Sequence, residues 1–147
     1  MTGVTFVRKI AARPSIVFDA LTTPEGLRNW MGPDAGPVLI AESDVRVGGA
    51  FRVRFRMLDN SEHECFGTYL EIAKPERLVM TWHWKDGEDP GESRVEVTLR
   101  PIPKGTELTF THALLANEGT RASHEHGWTG ALDKLERLFA GASSWAN

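Results

Sequence analysis

The sequence predicts an α+β fold in which a curved antiparallel sheet of about six to seven strands wraps around one long C-terminal helix. Two observations carry this prediction. From about Glu118 to Ala142, one arc of a helical wheel collects His124, Trp128, Ala131, Leu132, Leu135, Leu138, Phe139 and Ala142. Upstream of this helix, short segments of alternating polarity are separated by turn residues, as in antiparallel strands with short connections.

The chain begins with one strand and two short helices. Thr2 to Ala11 is rich in β-branched residues and contains no proline, which favours a first strand. Pro14 then supplies a preset first-turn dihedral for a two-turn helix. Thr23 precedes Pro24 as a capping residue and opens a second short helix, which Gly32–Pro33 ends.

Period-two alternation predicts the remaining strands and their inward faces. Pro37 to Ser43 is a short apolar strand, and the strands that follow carry every second apolar side chain toward the core. These inward residues are Phe51, Val53, Phe55, Met57, Leu78, Met80, Trp82, Trp84, Val95, Val97, Leu99, Leu108, Phe110 and His112. His63 to Ile72 forms a further strand, whose inward face stays open because Gly67 is a candidate bulge.

Length and composition favour one soluble domain over residues 1–147. The net charge of -3 is spread along the chain, so no basic patch indicates nucleic-acid binding. No apolar run is long enough to span a membrane, and the first residues lack the layout of a signal peptide, so we expect a cytoplasmic protein. The single cysteine, Cys65, cannot form an internal disulfide and is expected to be an inert thiol.

Several short motifs follow one another along nearly the whole chain. They are Pro14-x-x-Val17-Phe18-x-Ala20-Leu21-Thr22-x-Pro24-Glu25, Trp30-x-Gly32-Pro33, Asp44-x-Arg46-x-Gly48-Gly49-x-Phe51, Pro75-x-Arg77-Leu78-Val79-x-Thr81-Trp82, Gly105-Thr106-x-Leu108-Thr109 and His124-x-x-Gly127-Trp128-x-x-x-Leu132-x-x-Leu135. Together they resemble the Hsp90 ATPase activator homologue (AHSA1-like) group of the START/Bet v 1-like (SRPBCC) superfamily. The resemblance implies a helix-grip fold with a cavity between the sheet and the long helix.

The same resemblance implies little about chemistry, because the superfamily includes lipid carriers, cyclases, resistance proteins and cochaperone domains. Met31 stands where the family often has a second tryptophan. The sequence lacks the additional N-terminal domain of the eukaryotic cochaperone, so direct Hsp90 activation is not expected, although a role in the stress response remains a hypothesis.

Large aromatic side chains predict a ligand pocket, with core filling as the alternative interpretation. Trp82, Trp84, Phe110 and Trp128 are expected on inward faces, and Trp30 and Met31 at the rim. The full set of candidate ligand-binding residues is Trp30, Met31, Phe55, Trp82, Trp84, Phe110, His112, His124, Trp128 and Leu132.

His112 and His124 are both predicted to point inward. They could hydrogen-bond a ligand, act as an acid/base pair or bind a metal, or each could be satisfied by neighbouring protein groups. The pair lacks His spacing of i, i+4 and has no nearby carboxylate in a ligand pattern, so no metal is expected. No cofactor motif and no nucleophile elbow occurs, and we assign no catalytic residue.

Two further features have alternative interpretations. Gly127 and Gly130 interrupt the long helix, and Gly127 either admits close strand packing, the favoured interpretation, or widens the cavity. The stripe of Arg52, Arg54 and Arg56 is interpreted as a solvated strand face, with an anion-docking surface as the alternative.

The leading functional hypothesis is a protein that binds a hydrophobic or amphipathic small molecule without altering it. The first alternative is a cavity enzyme of the cyclase, hydrolase or isomerase type, with His112 or His124 as general acid/base. The second is a chaperone-associated or other protein-interaction module, which would show an exposed apolar patch. A homodimer is compatible with the sequence but not indicated by it.

Overall fold

The computed structural model of the chain describes residues 2–32, 37–85 and 92–140. The elements, in order, are β1 (Thr2–Ile10), α1 (Pro14–Thr22), α2 (Pro24–Trp30), β2 (Val38–Ser43), β3 (Ala50–Arg56), β4 (Glu62–Ala73), β5 (Arg77–Trp84), β6 (Ser93–Ile102), β7 (Gly105–Leu115) and α3 (Glu118–Phe139). The predicted fold class is confirmed: a curved antiparallel sheet, one long C-terminal helix and two short helices after the first strand.

The described strands form one sheet in the order β1-β7-β6-β5-β4-β3-β2, and all neighbours are antiparallel. From β2 to β7 the chain runs strand by strand across the sheet, because each short connection places the next strand beside the last. The two short helices carry the chain from β1 at one edge to β2 at the other.

Local signals fix the helix starts. Pro14 occupies the first turn of α1. The Thr23 hydroxyl accepts a hydrogen bond from the Gly26 amide at 3.0 Å and caps α2. The Asn117 side chain accepts from the Thr120 amide at 2.9 Å and caps α3. These bonds satisfy amide groups that a helix N-terminus leaves without intrahelical partners.

The inward faces of the strands are those that alternation predicts, and they form the core with one face of α3. The bulge in β4 lies between Tyr69 and Glu71 and not at Gly67. Gly67 instead allows close backbone approach, because a Cβ atom there would lie 2.0 Å from the Thr81 carbonyl oxygen. With Gly67 in regular register, Cys65 and Tyr69 are buried on the inward side.

The buried arc of α3 is shorter than predicted. Trp128, Ala131, Leu132 and Leu135 are buried, whereas Leu138 is 40% exposed, so its predicted burial is wrong. Leu138 lies in the last turn of the helix, which ends at Phe139. The predicted continuation to Ala142 lies outside the described residues, as does Pro33 after α2.

Hydrogen bonds from charged side chains hold the C-terminal half of α3 against the rest of the chain. Arg8 of β1 donates to Asp133 at 2.8 Å and also to the carboxylate of Glu136. The Lys134 ammonium donates to the carbonyl oxygen of Met31, the C-cap of α2, at 3.1 Å. This half of the helix is therefore fixed to both β1 and α2.

The arginine stripe on β3 is paired with acids on the two neighbouring strands. The pairs are Arg52–Glu42 at 3.0 Å, Arg54–Glu62 at 2.8 Å and Arg56–Glu62 at 3.4 Å. Pairing across strands supports the strand-face interpretation over an anion-docking surface, since each cation already has a carboxylate partner. No helix in the described part of the chain is long and apolar enough to cross a membrane.

We expect Gly67→Ala to lower the free energy of unfolding by about 2 kcal/mol or more, because the new methyl group overlaps a backbone carbonyl that the sheet holds in place. Gly130→Ala is the matched control: nothing lies within 4 Å of its Cβ position, so it should stabilise α3 by about 1 kcal/mol. Urea denaturation of both variants measures the difference. Equal stability of the two would contradict the assigned strand register.

Candidate functional site

A cavity of about 430 Å³ lies between α3 and the sheet. Its described lining consists of Met31, Gly32, Phe55, Met57, His63, Glu64, Trp82, Trp84, Ser123, His124, Gly127, Trp128 and Ala131. The volume falls within the range of roughly 300 to 1,000 Å³ that is usual for small-molecule sites.

The space exists because small residues on the helix lie opposite large residues on the sheet. Ser123, Gly127 and Ala131 recur at i, i+4 spacing and so line one stripe of α3. A Cβ atom at Gly127 would meet nothing within 4 Å, so the packing interpretation of this glycine is wrong. Its missing side chain leaves the cavity wider.

Aromatic rings form the sheet side of the cavity. Trp82 and Trp84 are successive inward residues of β5, with ring centroids 5.8 Å apart. Trp84 contacts Phe55 of β3 edge-on at 6.0 Å, and Trp82 contacts Trp128 of α3 at 5.0 Å. This wall is predominantly apolar, with the indole N–H groups as its polar features.

Exposed residues mark the mouth of the cavity. His63, Ser123 and Gly127 are all solvent-exposed and all line the cavity. His63 pairs with Phe55 across the β3–β4 ladder, and its ring centroid lies 6.5 Å from that of Trp84. The opening therefore lies between the N-terminal half of α3 and the start of β4.

His112 is fully buried behind this wall and has partners at both ring nitrogens. Trp128 Nε1 donates to His112 Nδ1 at 3.0 Å, so Nε2 carries the proton of the neutral ring. Nε2 donates to Ser93 Oγ at 2.7 Å, and that hydroxyl donates to the Trp82 carbonyl oxygen at 3.1 Å. Burial, with a smaller contribution from His124, lowers the pKa of His112 to about 3.

His124 points inward as predicted and is also satisfied at both nitrogens. Trp84 Nε1 donates to His124 Nε2 at 2.9 Å, which leaves Nδ1–H to donate to the Thr120 carbonyl oxygen at 2.8 Å. The rings of His112 and His124 meet edge to face with centroids 4.7 Å apart. The two histidines thus act as neutral acceptors for two indole N–H groups, and neither offers a free nitrogen for proton transfer.

Glu64 borders the cavity, but its carboxylate belongs to the other face of the sheet. Its oxygens lie 3.5 Å from Arg54 Nη1 and 3.8 Å from Arg52 Nη1. Among the described residues, no group of three or more His, Cys, Asp or Glu side chains could hold a metal ion. Cys65 is fully buried, and desolvation raises the pKa of its thiol, so the structure agrees with the expectation of an inert cysteine.

The structure brings six of the ten predicted binding residues to the cavity wall: Met31, Phe55, Trp82, Trp84, His124 and Trp128. Phe110, His112 and Leu132 lie deeper, and Phe110 borders only a smaller void of about 20 Å³. The predicted place of Met31 and Trp30 at the rim is wrong, because Met31 is 4% exposed and Trp30, which also borders that void, is 2% exposed. Its indole N–H donates to the Ala20 carbonyl oxygen, which turns the side chain toward α1.

Seven lining residues were not among the predicted binding residues: Gly32, Met57, His63, Glu64, Ser123, Gly127 and Ala131. Two sequence signals indicate some of them. The turn centred on Asp59 places His63 opposite Phe55, and the i, i+4 series of small residues marks the helix stripe. A role in ligand binding is a prediction for every residue of the cavity lining, whether or not the sequence indicated it.

Comparison with known proteins gives a consistent result. A family model described as Activator of Hsp90 ATPase homolog 1-like protein matches residues 11–140. A solved structure from Chromobacterium violaceum is 28% identical, with a TM-score of 0.83 over 93% of this chain and 96% of that one. The AHSA1 protein of Silicibacter pomeroyi is 25% identical, with a TM-score of 0.84 over 95% and 98% of the two chains. No curated protein matches the chain.

Titration of His112 should make the folded state less stable in acid. The unfolded chain binds this proton near pH 6.5, about the ordinary value, and the folded chain only near pH 3, so the unfolded state holds more protons between these values. We expect a loss of about 2 kcal/mol from this residue between pH 7 and pH 5.

His112→Asn keeps a carbonyl acceptor for the Trp128 N–H and should lower the free energy of unfolding at pH 7 by about 1 to 3 kcal/mol. The free energy of unfolding of this variant should fall less between pH 7 and pH 5 than that of the natural chain. Urea denaturation at the two pH values measures both effects. An unchanged pH dependence in the variant would show that His112 is not the buried neutral group described.

Proposed function

Because the chain belongs to the Activator of Hsp90 ATPase homolog 1-like family, which has a ligand-binding helix-grip fold, we propose that its cavity binds a small apolar or amphipathic molecule without altering it. The observation that carries this proposal is the hollow of about 430 Å³ between α3 and the aromatic wall of β3 and β5. Apolar surface of this kind gains free energy when a ligand removes it from water.

The arrangement of the mouth suits an amphipathic ligand. The apolar part would lie against Trp82, Trp84 and Trp128, and a polar end would reach the exposed side chains of His63 and Ser123. Met31 and Met57 add flexible thioether side chains to the lining, which adapt to ligands of different shape.

The hydrogen bonds of the two inward histidines support binding over catalysis. A general acid/base needs a nitrogen within hydrogen-bond reach of the substrate. All four ring nitrogens of His112 and His124 already bond to protein groups, and burial keeps His112 neutral over the physiological range. An acid/base role would require one of these bonds to break first.

The interaction-module alternative receives no comparable support. The exposed large apolar side chains of the described residues are spread over different elements: Val7, Val45, Val47, Leu58, Phe66, Leu70, Leu114 and Leu138. Nothing in their placement indicates a partner of defined chemistry, whereas the cavity has a defined lining.

Gly127→Phe tests the proposal, because it adds a large side chain at the mouth, at a position where the backbone has room. We expect the variant to bind the neutral fluorescent probe N-phenyl-1-naphthylamine at least about tenfold more weakly than the natural chain, a change of about 1.4 kcal/mol. Probe emission and quenching of tryptophan fluorescence give the dissociation constants.

Gly130→Phe is the matched control on the same helix, since Gly130 also has open space at its Cβ position but does not line the cavity. It should bind the probe within about twofold of the natural chain. Equal weakening by both substitutions, or no binding of the probe by the natural chain, would count against the cavity as a binding site.

A further inference from the structure

Trp82 carries a buried hydrogen-bond donor that has no acceptor among the described residues. The other three indole N–H groups in the described part of the chain all donate: Trp30 to Ala20 O at 2.8 Å, Trp84 to His124 at 2.9 Å and Trp128 to His112 at 3.0 Å. Trp82 is 3% exposed, so bulk water does not replace the missing acceptor. Buried polar groups in folded proteins nearly always have a partner.

Resting on the function proposed above, we propose that the ligand is a neutral, flat molecule with a hydrogen-bond acceptor that takes the Trp82 N–H. The acceptor would be a carbonyl, ether or aromatic ring nitrogen. Trp82 would then be the residue that sets ligand orientation and selects such molecules over plain hydrocarbons of the same shape.

Two groups beside Trp82 that could accept a hydrogen bond already have partners. Its ring contacts the rings of Phe51, Trp84, His112 and Trp128, with centroids 5.0 to 5.8 Å away. The imidazole of His112 is bonded at both nitrogens, and the Trp82 carbonyl already accepts from Ser93. Neither group can take the Trp82 N–H without giving up a bond, and we assign that acceptor to a molecule that enters the space beside the ring.

Trp82 borders both that 430 Å³ cavity and the 20 Å³ void behind it. The large cavity admits an organic ligand, and the void has room for about one water molecule. If a ligand accepts the N–H, the protein should bind molecules with an acceptor more tightly than those without one. If a water accepts it, no such preference is expected, so an experiment can distinguish the two.

The lining also favours a neutral ligand over a charged one. A buried ion needs a partner of opposite charge. The described lining contains no lysine or arginine that could pair with an anion, and the carboxylate of its acidic residue, Glu64, already pairs with Arg52 and Arg54. The rings of Trp82, Trp84 and Trp128 supply broad contact surfaces, which suit a flat ligand.

Fluorene and 9-fluorenone provide a matched pair of probes, because they share one flat three-ring frame and differ in a carbonyl group. We expect 9-fluorenone to bind about tenfold more tightly than fluorene, since its oxygen accepts a hydrogen bond from the otherwise unsatisfied Trp82 N–H. In ¹H–¹⁵N spectra, the indole proton of Trp82, assigned with Trp82→Phe, should move downfield with the ketone and not with the hydrocarbon.

Site-specific replacement of Trp82 by 3-benzothienylalanine removes the N–H and keeps the ring shape. We expect it to abolish the tenfold preference, so that the two probes bind with equal affinity. The same replacement at Trp30, whose N–H bonds to Ala20 and whose ring lies off the large cavity, is the control and should keep the preference.

Equal binding of the two probes by the natural chain would overturn this inference but leave the proposed function standing, because the cavity would still take up apolar molecules. A preference that survives the replacement at Trp82 would overturn it too. So would an indole proton that is already downfield without ligand and does not move with the ketone, which is the result expected if a water in the small void accepts the N–H. Failure of both probes to bind would instead count against the proposed function itself.

Discussion

The cavity depends on one mismatch of side-chain size between α3 and the sheet. Over its C-terminal half, α3 buries Leu132 and Leu135 and is held by the Arg8 contacts to Asp133 and Glu136. From Ser123 to Ala131, one stripe of the helix consists of the small residues Ser123, Gly127 and Ala131, which lie beside His124 and Trp128 and opposite the aromatic residues of β3 and β5. Because the helix is rigid and anchored at one end, it cannot collapse onto the sheet to fill the gap.

Hydrogen bonds between indoles and imidazoles keep the wall of this gap in place. Trp128 reaches His112 from the helix, and His124 on the helix receives the N–H of Trp84 from β5. Each bond spans the two sides and requires a neutral imidazole acceptor, and the pKa of His112, lowered to about 3 by burial, meets that requirement. The residues that first suggest catalysis are thus the ones that join helix and sheet.

The sequence predicts the architecture well because local rules determine it. Alternation identifies the inward face of β3, β5, β6 and β7, and capping residues such as Thr23 mark the helix starts. The sequence predicts the site less completely, because the position of α3 along the sheet depends on contacts between residues that are far apart in the chain. Trp30 therefore looks like a rim residue although it is buried against α1. His63 goes unnoticed because Gly67 is a candidate bulge in the sequence and leaves the inward face of β4 open, whereas the register there is regular.

The most direct test uses the methionine methyl groups as reporters within the protein. Met31 and Met57 line the large cavity, whereas Met80 borders only the small void behind it. In ¹³C-methyl methionine spectra recorded during titration with N-phenyl-1-naphthylamine, the account predicts saturable shifts at Met31 and Met57 and a nearly stationary Met80. Shifts that avoid Met31 and Met57, or no saturable shift at any of the three, would contradict a ligand site beneath α3.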